Sequence, residues 1–213
     1  MSETVDLFWS FRSSYSYLAI DRIKQIINEY DIELKLKVVI PLAIRYPDYF
    51  QSLPSNRNSY ASLDSKRVAE FYNIPFARPD PDPVLFIDGK PALNQPYINR
   101  ISHLGVLAES EGLGFEFATR VGKLIWSGNT EDWFNGPEMS EELKKIGLNL
   151  KNMDEEVKSN AIIYDKELEK NAIALEKFGH WGVPTLVVKE EIFFGQDRLD
   201  FFRWRLDKLG LKK

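Results

Sequence analysis

The 213-residue sequence predicts an α/β protein, and three observations carry that prediction. A strand-like run, an amphipathic helix and a second strand follow one another at the amino end. A long block of helical periodicity fills the middle. Two short strand-like runs and a last helix close the chain. Hydrophobic residues make up 44% and charged residues 28%, the balance of a globular chain rather than a disordered one. A chain of this length buries roughly 70% of its extended surface.

Val5 to Phe11 is apolar and aromatic and reads as a buried strand. From Ser14 the period changes. Ala19, Ile23, Ile26, Ile27 and Tyr30 recur at helical spacing, with Asp21, Arg22, Lys24 and Glu29 elsewhere around the helix. A serine at its start can cap it, and Ser13, Ser14 and Ser16 all qualify. Leu34, Leu36, Val38 and Ile40 alternate with Lys35, Lys37 and Val39, a half-buried strand ending at Pro41. These three elements make a βαβ unit.

In the middle, Asp64 to Tyr72 reads as helix and stops before Pro75. Residues 75–96 hold six of the eleven prolines and are expected to form an extended loop. Tyr97, Ile101, Leu104 and Ala108 predict a helix, with Gly112 placed to end it. Phe115, Ala118, Gly122 and Ile125 predict another. Ser140 and Asp154 are expected N-caps of further helices, and the last runs through Tyr164, Leu168, Ala172 and Leu175 to Gly179. Strand signals return at Thr185–Val188 and Glu191–Phe194, with the hairpin turn placed at Glu190-Glu191. A helix with Leu199, Phe202, Leu206 and Leu209 on one face follows Gly195. The order βαβ, helical block, ββα is that of a thioredoxin-like domain with a large all-helical insertion, the DsbA-like arrangement. Residues 1–42 and 181–213 are assigned to the thioredoxin-like domain and 43–180 to the insertion.

Net charge is −4 and no block of Lys or Arg stands out, which argues against nucleic acid or an anionic membrane as partner. No run of about 18 apolar residues could span a bilayer. The polar start, Met1-Ser2-Glu3-Thr4, is not that of a signal peptide, so a cytoplasmic location is expected. The chain has no cysteine, which excludes disulfides, thiolate metal sites and a protein-borne CxxC couple. Two histidines, His103 and His180, argue against a His-rich metal site, and no metal is expected.

Four places carry chemistry. Ser13 lies between strand and helix, where free N–H groups and the helix dipole favour an anion. A helix cap explains a serine there by itself, although Ser14 or Ser16 would serve equally. A hydroxyl does no redox work, but it can donate to a thiolate brought by a ligand. Lowering a thiol pKa from ~8.5 by ~2 units needs about 2.7 kcal/mol. A helix terminus plus one charge-assisted hydrogen bond supplies that much. In Gly182-Val183-Pro184-Thr185, a cis proline would turn the Val183 backbone toward an extended peptide ligand; a trans proline at a strand entrance is the plainer reading. In Phe194-Gly195-Gln196-Asp197-Arg198-Leu199 the Asp197 carboxylate could hold an ammonium, or simply cap a helix. Pro54-Ser55-Asn56-Arg57 is a polar turn that by itself implies nothing.

Taken together, Phe11-Arg12-Ser13-Ser14-Tyr15-Ser16-Tyr17-Leu18-Ala19, Ser55-Asn56-Arg57, Gly182-Val183-Pro184-Thr185 and Phe194-Gly195-Gln196-Asp197-Arg198-Leu199 resemble the 2-hydroxychromene-2-carboxylate isomerases and kappa-class glutathione transferases. That family usually has proline where this chain has Ser14, and often tryptophan where it has Phe194. The resemblance implies glutathione as cofactor: Ser13 on its sulfur, Asn56 on its backbone, Val183 beside Pro184 on its cysteinyl unit, Gln196 and Asp197 on its γ-glutamyl end. It implies a homodimer without metal, acting on an aromatic or quinonoid small molecule by reversible conjugate addition. Arg12, Arg45 or Arg57, which flank the motifs, could hold a substrate carboxylate; a solvated surface arginine is the plainer reading of any one of them. The competing expectations are a glutathione transferase or peroxidase that consumes glutathione, and a non-catalytic thioredoxin-like binding module. His103 is expected to be structural or exposed rather than catalytic. His180 is expected to pack beside Trp181, and Trp9, Trp126, Trp133 and Trp204 to lie in the core or an interface.

Overall fold

The computed structural model describes residues 2–52, 54 and 56–213, without the side chains of 49–51, 57 and 58. The expected thioredoxin-like, DsbA-like arrangement is present. β1 (Glu3–Trp9), α1 (Ser14–Glu29) and β2 (Ile32–Val38) form the βαβ unit. The helices α2 (Leu42–Arg45), α3 (Pro47–Ser52) and α4 (Asn56–Phe71) come next. A hairpin, β3 (Phe86–Ile87) with β4 (Lys90–Pro91), interrupts the helical block. Then come α5 (Pro96–Ser110), α6 (Gly114–Trp126), α7 (Glu138–Lys144), α8 (Leu150–Ser159) and α9 (Ala161–Lys177). β5 (Thr185–Val188), β6 (Glu191–Phe194) and α10 (Leu199–Lys208) complete the chain.

The sheet order is β2-β1-β5-β6, with β1 parallel to β2 and antiparallel to β5. β1 therefore lies inside the sheet, and its alternation sorts the core onto two faces. Val5, Leu7 and Trp9 join the larger cluster with α1, α5, α6 and α10, while Phe8 packs with Val187, Leu175 and Phe178 beneath α9. The insertion helices are tied to the sheet, since α5, α6 and α9 all pack on β2. The buried Asn171 of α9 donates to the Val38 carbonyl at 3.0 Å, satisfying a main-chain acceptor at the end of β2.

Several local expectations need correction. Residues 75–96 are not wholly loop, and the insertion is not wholly helical. The Gln95 side chain accepts from Leu85 N and donates to the Leu85 and Ala92 carbonyls, which closes the β3–β4 hairpin. Ser140 and Asp154 are not caps. Ser140 lies inside α7, and Asp154 lies inside α8, where it forms a two-pronged pair with Arg100, each prong 2.7 Å. The α8 cap is Asn149, which accepts from Asn152 N at 3.1 Å. The β5–β6 turn falls on Lys189 and Glu190, both at positive φ, and Glu191 already pairs with Val188. Trp9, Trp126 and Trp133 are buried, whereas Trp204 stands exposed on α10.

Gly105 sets how close α5 comes to the sheet. A Cβ there would meet Phe11 Cε2 at 2.9 Å and Val38 Cγ2 at 3.1 Å. Phe11 cannot swing away, because it is wedged edge-on against Trp9 and Phe117. Gly105→Ala is therefore expected to destabilise the fold by about 1–3 kcal/mol, read as a lower urea midpoint at unchanged slope.

Candidate functional site

Ser13 ends the turn after β1 in an extended conformation and is itself the N-cap of α1. Its Oγ accepts from Ser16 N at 3.1 Å and donates to the Val183 carbonyl at 3.3 Å. The expectation that Ser14 or Ser16 would serve equally as the cap is corrected. Only at Ser13 does the backbone turn the side chain back on the first helical N–H groups. Ser14 instead bonds Ser65 of α4 at 2.9 Å, and the Tyr15 hydroxyl donates to Asp64 at 2.7 Å. Those two contacts dock the start of α1 onto α4, and Ser14 gains a partner that a proline could not engage. Burial and the Asp64 contact push the Tyr15 phenol well up. Ser16 Oγ is buried in the same turn with no partner among the described residues.

The Val183–Pro184 peptide is cis. Pro184 offers its carbonyl to Gly195 N at 2.9 Å, so the proline loop is joined directly to the Gly195-Gln196-Asp197 turn. Gly182 is required by close approach. A Cβ there would lie 2.5 Å from Phe194 Cε2 and 3.1 Å from His180 Cε1. The His180 ring stacks on Phe194 at 3.9 Å between centroids, and its Nδ1 accepts from Gly182 N at 2.9 Å. Burial pushes the His180 pKa down.

The structure therefore links Ser13, Val183, Pro184 and the Gly195 turn, although they lie more than 160 residues apart at the extremes. Asn56 is not part of that contact set. It sits exposed in the first turn of α4, its carbonyl accepting from Ser59 Oγ at 2.7 Å. Asp197 is exposed and paired with Arg198 at 3.2 Å, a surface ion pair of small worth. Gln196 is buried, and its side-chain oxygen accepts from Arg22.

The three arginines expected to hold a substrate carboxylate have different fates. Arg45 clamps the loop, donating to the Ile40 carbonyl at 2.9 Å and the Trp181 carbonyl at 2.6 Å. The Arg57 side chain lies outside the described residues. Arg12 forks onto Asp82 at 2.8 and 3.0 Å and covers the Phe86 ring at 4.9 Å. It lines a cavity of about 520 Å³ beside Ser14, together with Lys66, Arg78, Phe76 and Trp126. The last two rings stack at 5.8 Å. Three cations against one carboxylate make this wall electropositive on a chain of net charge −4.

Sequence reasoning missed Arg22, Asp82, Lys66 and Arg78. No local pattern marks them: Arg22 and Asp82 stand out through contacts with Gln196 and Arg12, 174 and 70 residues away, and Lys66 and Arg78 only through the cavity they line. His103 is structural as expected, buried and paired with Asp165 at 2.7 Å. Among the described residues, no cluster of three or more acidic, histidine or cysteine side chains could hold a metal ion, and no helix is long and apolar enough to cross a membrane.

The chain matches the family model of the DSBA-like thioredoxin domain over residues 4–207. It belongs to that family. A 2-hydroxychromene-2-carboxylate isomerase of Pseudomonas putida is 24% identical over 206 residues, covering 92% of this chain and 90% of its own. A solved 2-hydroxychromene-2-carboxylate isomerase superposes with a TM-score of 0.70 at 23% identity, over 97% of this chain and 95% of that one. The cytosolic disulfide reductase DsbM from Pseudomonas aeruginosa, solved with GSH, superposes with a TM-score of 0.63 at 14% identity, over 96% and 99%. At these identities the solved structures speak for the fold. This chain has the Ser13 helix cap and the cis proline, and no thiol of its own.

The Gly182 N–H bond to His180 needs a neutral Nδ1. The depressed folded pKa means that the unfolded chain takes up a proton first as pH falls. The loop's contribution is thus complete well above the ordinary value of 6.5 and is lost as pH falls through and below it. Urea midpoints measured from pH 8 to pH 5 are expected to fall for the wild type relative to His180→Asn. That variant's amide oxygen accepts the same N–H without titrating.

Proposed function

We propose that the protein is an isomerase of the 2-hydroxychromene-2-carboxylate type, as its Pseudomonas relatives are named, and that it works with glutathione. The observation that carries this reading is the meeting of Ser13 Oγ, at the positive end of α1, with the Val183 carbonyl in a chain that lacks cysteine. Bound there, glutathione supplies a thiolate that adds reversibly to an activated alkene and leaves again, so that it is not consumed.

The residues present fit such a ligand. The Ser13–Val183 bond is long at 3.3 Å, and the hydroxyl can turn from that carbonyl to a sulfur with little loss. Ser16 Oγ, buried in the same turn without a partner, is a second donor close by. Both act at a helix N-terminus, where negative charge is favoured. Val183 and Pro184 hold the cysteinyl unit through main-chain groups, Gln196 and Asp197 hold the γ-glutamyl end, and Asn56 contacts the tripeptide backbone. Phe76 and Trp126, stacked on each other, give the adjoining cavity an aromatic wall for a planar, aromatic or quinonoid substrate. Arg12, Lys66 and Arg78 hold its acid group and stabilise negative charge arising on its carbonyl oxygen. A homodimer, a cytoplasmic location and the absence of a metal belong to the same reading.

The test uses 2-hydroxychromene-2-carboxylate with glutathione. Ser13→Ala and Ser13→Gly are both expected to lower the isomerisation rate by about 10²–10³. Only Ser13→Ala should cost about 1 kcal/mol of stability, because glycine caps a helix nearly as well as serine does. Full activity in Ser13→Gly would remove the assigned role. A glutathione pool that falls in step with turnover would replace the isomerase by a transferase.

A further inference from the structure

Arg22 lies about two and a half turns along α1 from the Ser13 cap and reaches across to the Gln196 turn. Its Nη1 donates to the Gln196 carbonyl at 2.8 Å and to the Tyr72 hydroxyl at 3.1 Å, and its Nη2 donates to the Leu18 carbonyl at 3.2 Å and to Gln196 Oε1. The Tyr72 ring covers the guanidinium at 4.0 Å. Among the described residues no carboxylate touches Arg22; every acceptor is a neutral oxygen. Asp197 and Asp200 act on it only from a distance.

A guanidinium only donates, so the atom of the Gln196 amide that faces it must be the oxygen. The amide nitrogen is thereby turned away, and it has no partner among the described residues. A cation on the oxygen also polarises the amide and strengthens its N–H groups as donors. Next in sequence, Asp197 carries an exposed carboxylate whose partner, Arg198 at 3.2 Å, forms a surface ion pair weak enough for a ligand ammonium to displace. One short turn thus shows a double N–H donor and an anion side by side, complementary to the carboxylate and ammonium of an α-amino acid.

We infer that Arg22 is a positioning residue that fixes the Gln196 amide so that the Gln196–Asp197 turn reads the α-amino-acid end of the bound peptide. This rests on the proposed glutathione reading and adds the residue that orients it. Arg22 touches neither the sulfur nor the substrate. Removing it leaves the thiol site intact and frees the amide to flip.

The test is calorimetric titration of two ligands, glutathione and cysteinylglycine, which lacks the γ-glutamyl unit. Wild type is expected to prefer glutathione. Arg22→Met should lose about tenfold in glutathione affinity and keep its cysteinylglycine affinity, so the preference collapses. Arg22→Lys should fail to restore it, because an ammonium cannot bond both oxygens of Gln196 from one plane. Gln196→Glu tests the same point without touching Arg22. It should retain or raise the melting temperature through the new ion pair while losing glutathione affinity, since its carboxylate has no N–H to offer. This variant decides the matter should Arg22→Met fail to fold. Equal weakening of both ligands by Arg22→Met, or unchanged glutathione binding by Gln196→Glu, overturns the inference. A wild type that binds neither ligand overturns the glutathione reading itself, a result visible before any variant is made.

Discussion

The hydrogen bond from Ser13 Oγ to the Val183 carbonyl joins the first strand–helix junction to the loop that precedes the last strands. Much of the molecule exists to bring those two points together. β1 sits between β2 and β5, so the end of β1 and the entry to β5 lie at the same edge. Gly182 lets Phe194 and His180 close behind the proline loop, and Arg45 holds it from the other side. Because Ser13 also caps α1, the hydroxyl that faces the loop is aligned by the helix. A side chain fixed by two elements needs little reorganisation when a ligand arrives.

Charge is arranged locally, against the sign of the whole. The chain carries net −4, yet the cavity beside Ser14 is walled by Arg12, Lys66 and Arg78, with Asp82 the one acid among the described residues that line it. Asp82 also accepts from Val84 N at 2.9 Å, so the Arg12–Asp82 fork fixes the proline-rich loop over the start of α1. A rigid, electropositive pocket next to a helix N-terminus selects anionic ligands more through position than through total charge.

The fold was legible because its evidence is periodic. The β1 run, the helical spacing from Ala19 to Tyr30 and the apolar face of α10 each report burial directly, and each element is present in its expected order, although β1 spans Glu3–Trp9 and not Val5 to Phe11. Signals that depend on a distant partner were not legible. Asp154 has the chemistry of a cap, but Arg100 claims it from α5. The β3–β4 hairpin is closed by the Gln95 side chain, which no strand pattern announces. Ser13 and the proline loop could be singled out from local sequence, whereas Arg22 on the polar side of an amphipathic helix could not. Its role is visible only once Gln196 has folded onto it across 174 residues of chain.

The central claim is that Ser13 and the α1 terminus hold a ligand's sulfur as a thiolate. Having no cysteine, the protein contributes no thiolate of its own to the ultraviolet spectrum. Titrating the glutathione complex with base and following its thiolate absorbance therefore measures the bound thiol pKa directly. The account predicts a pKa about 2 units below the free value of ~8.5, returning toward that value in Ser13→Gly. A bound thiol that titrates as it does in water, or one unmoved by Ser13→Gly, would contradict it.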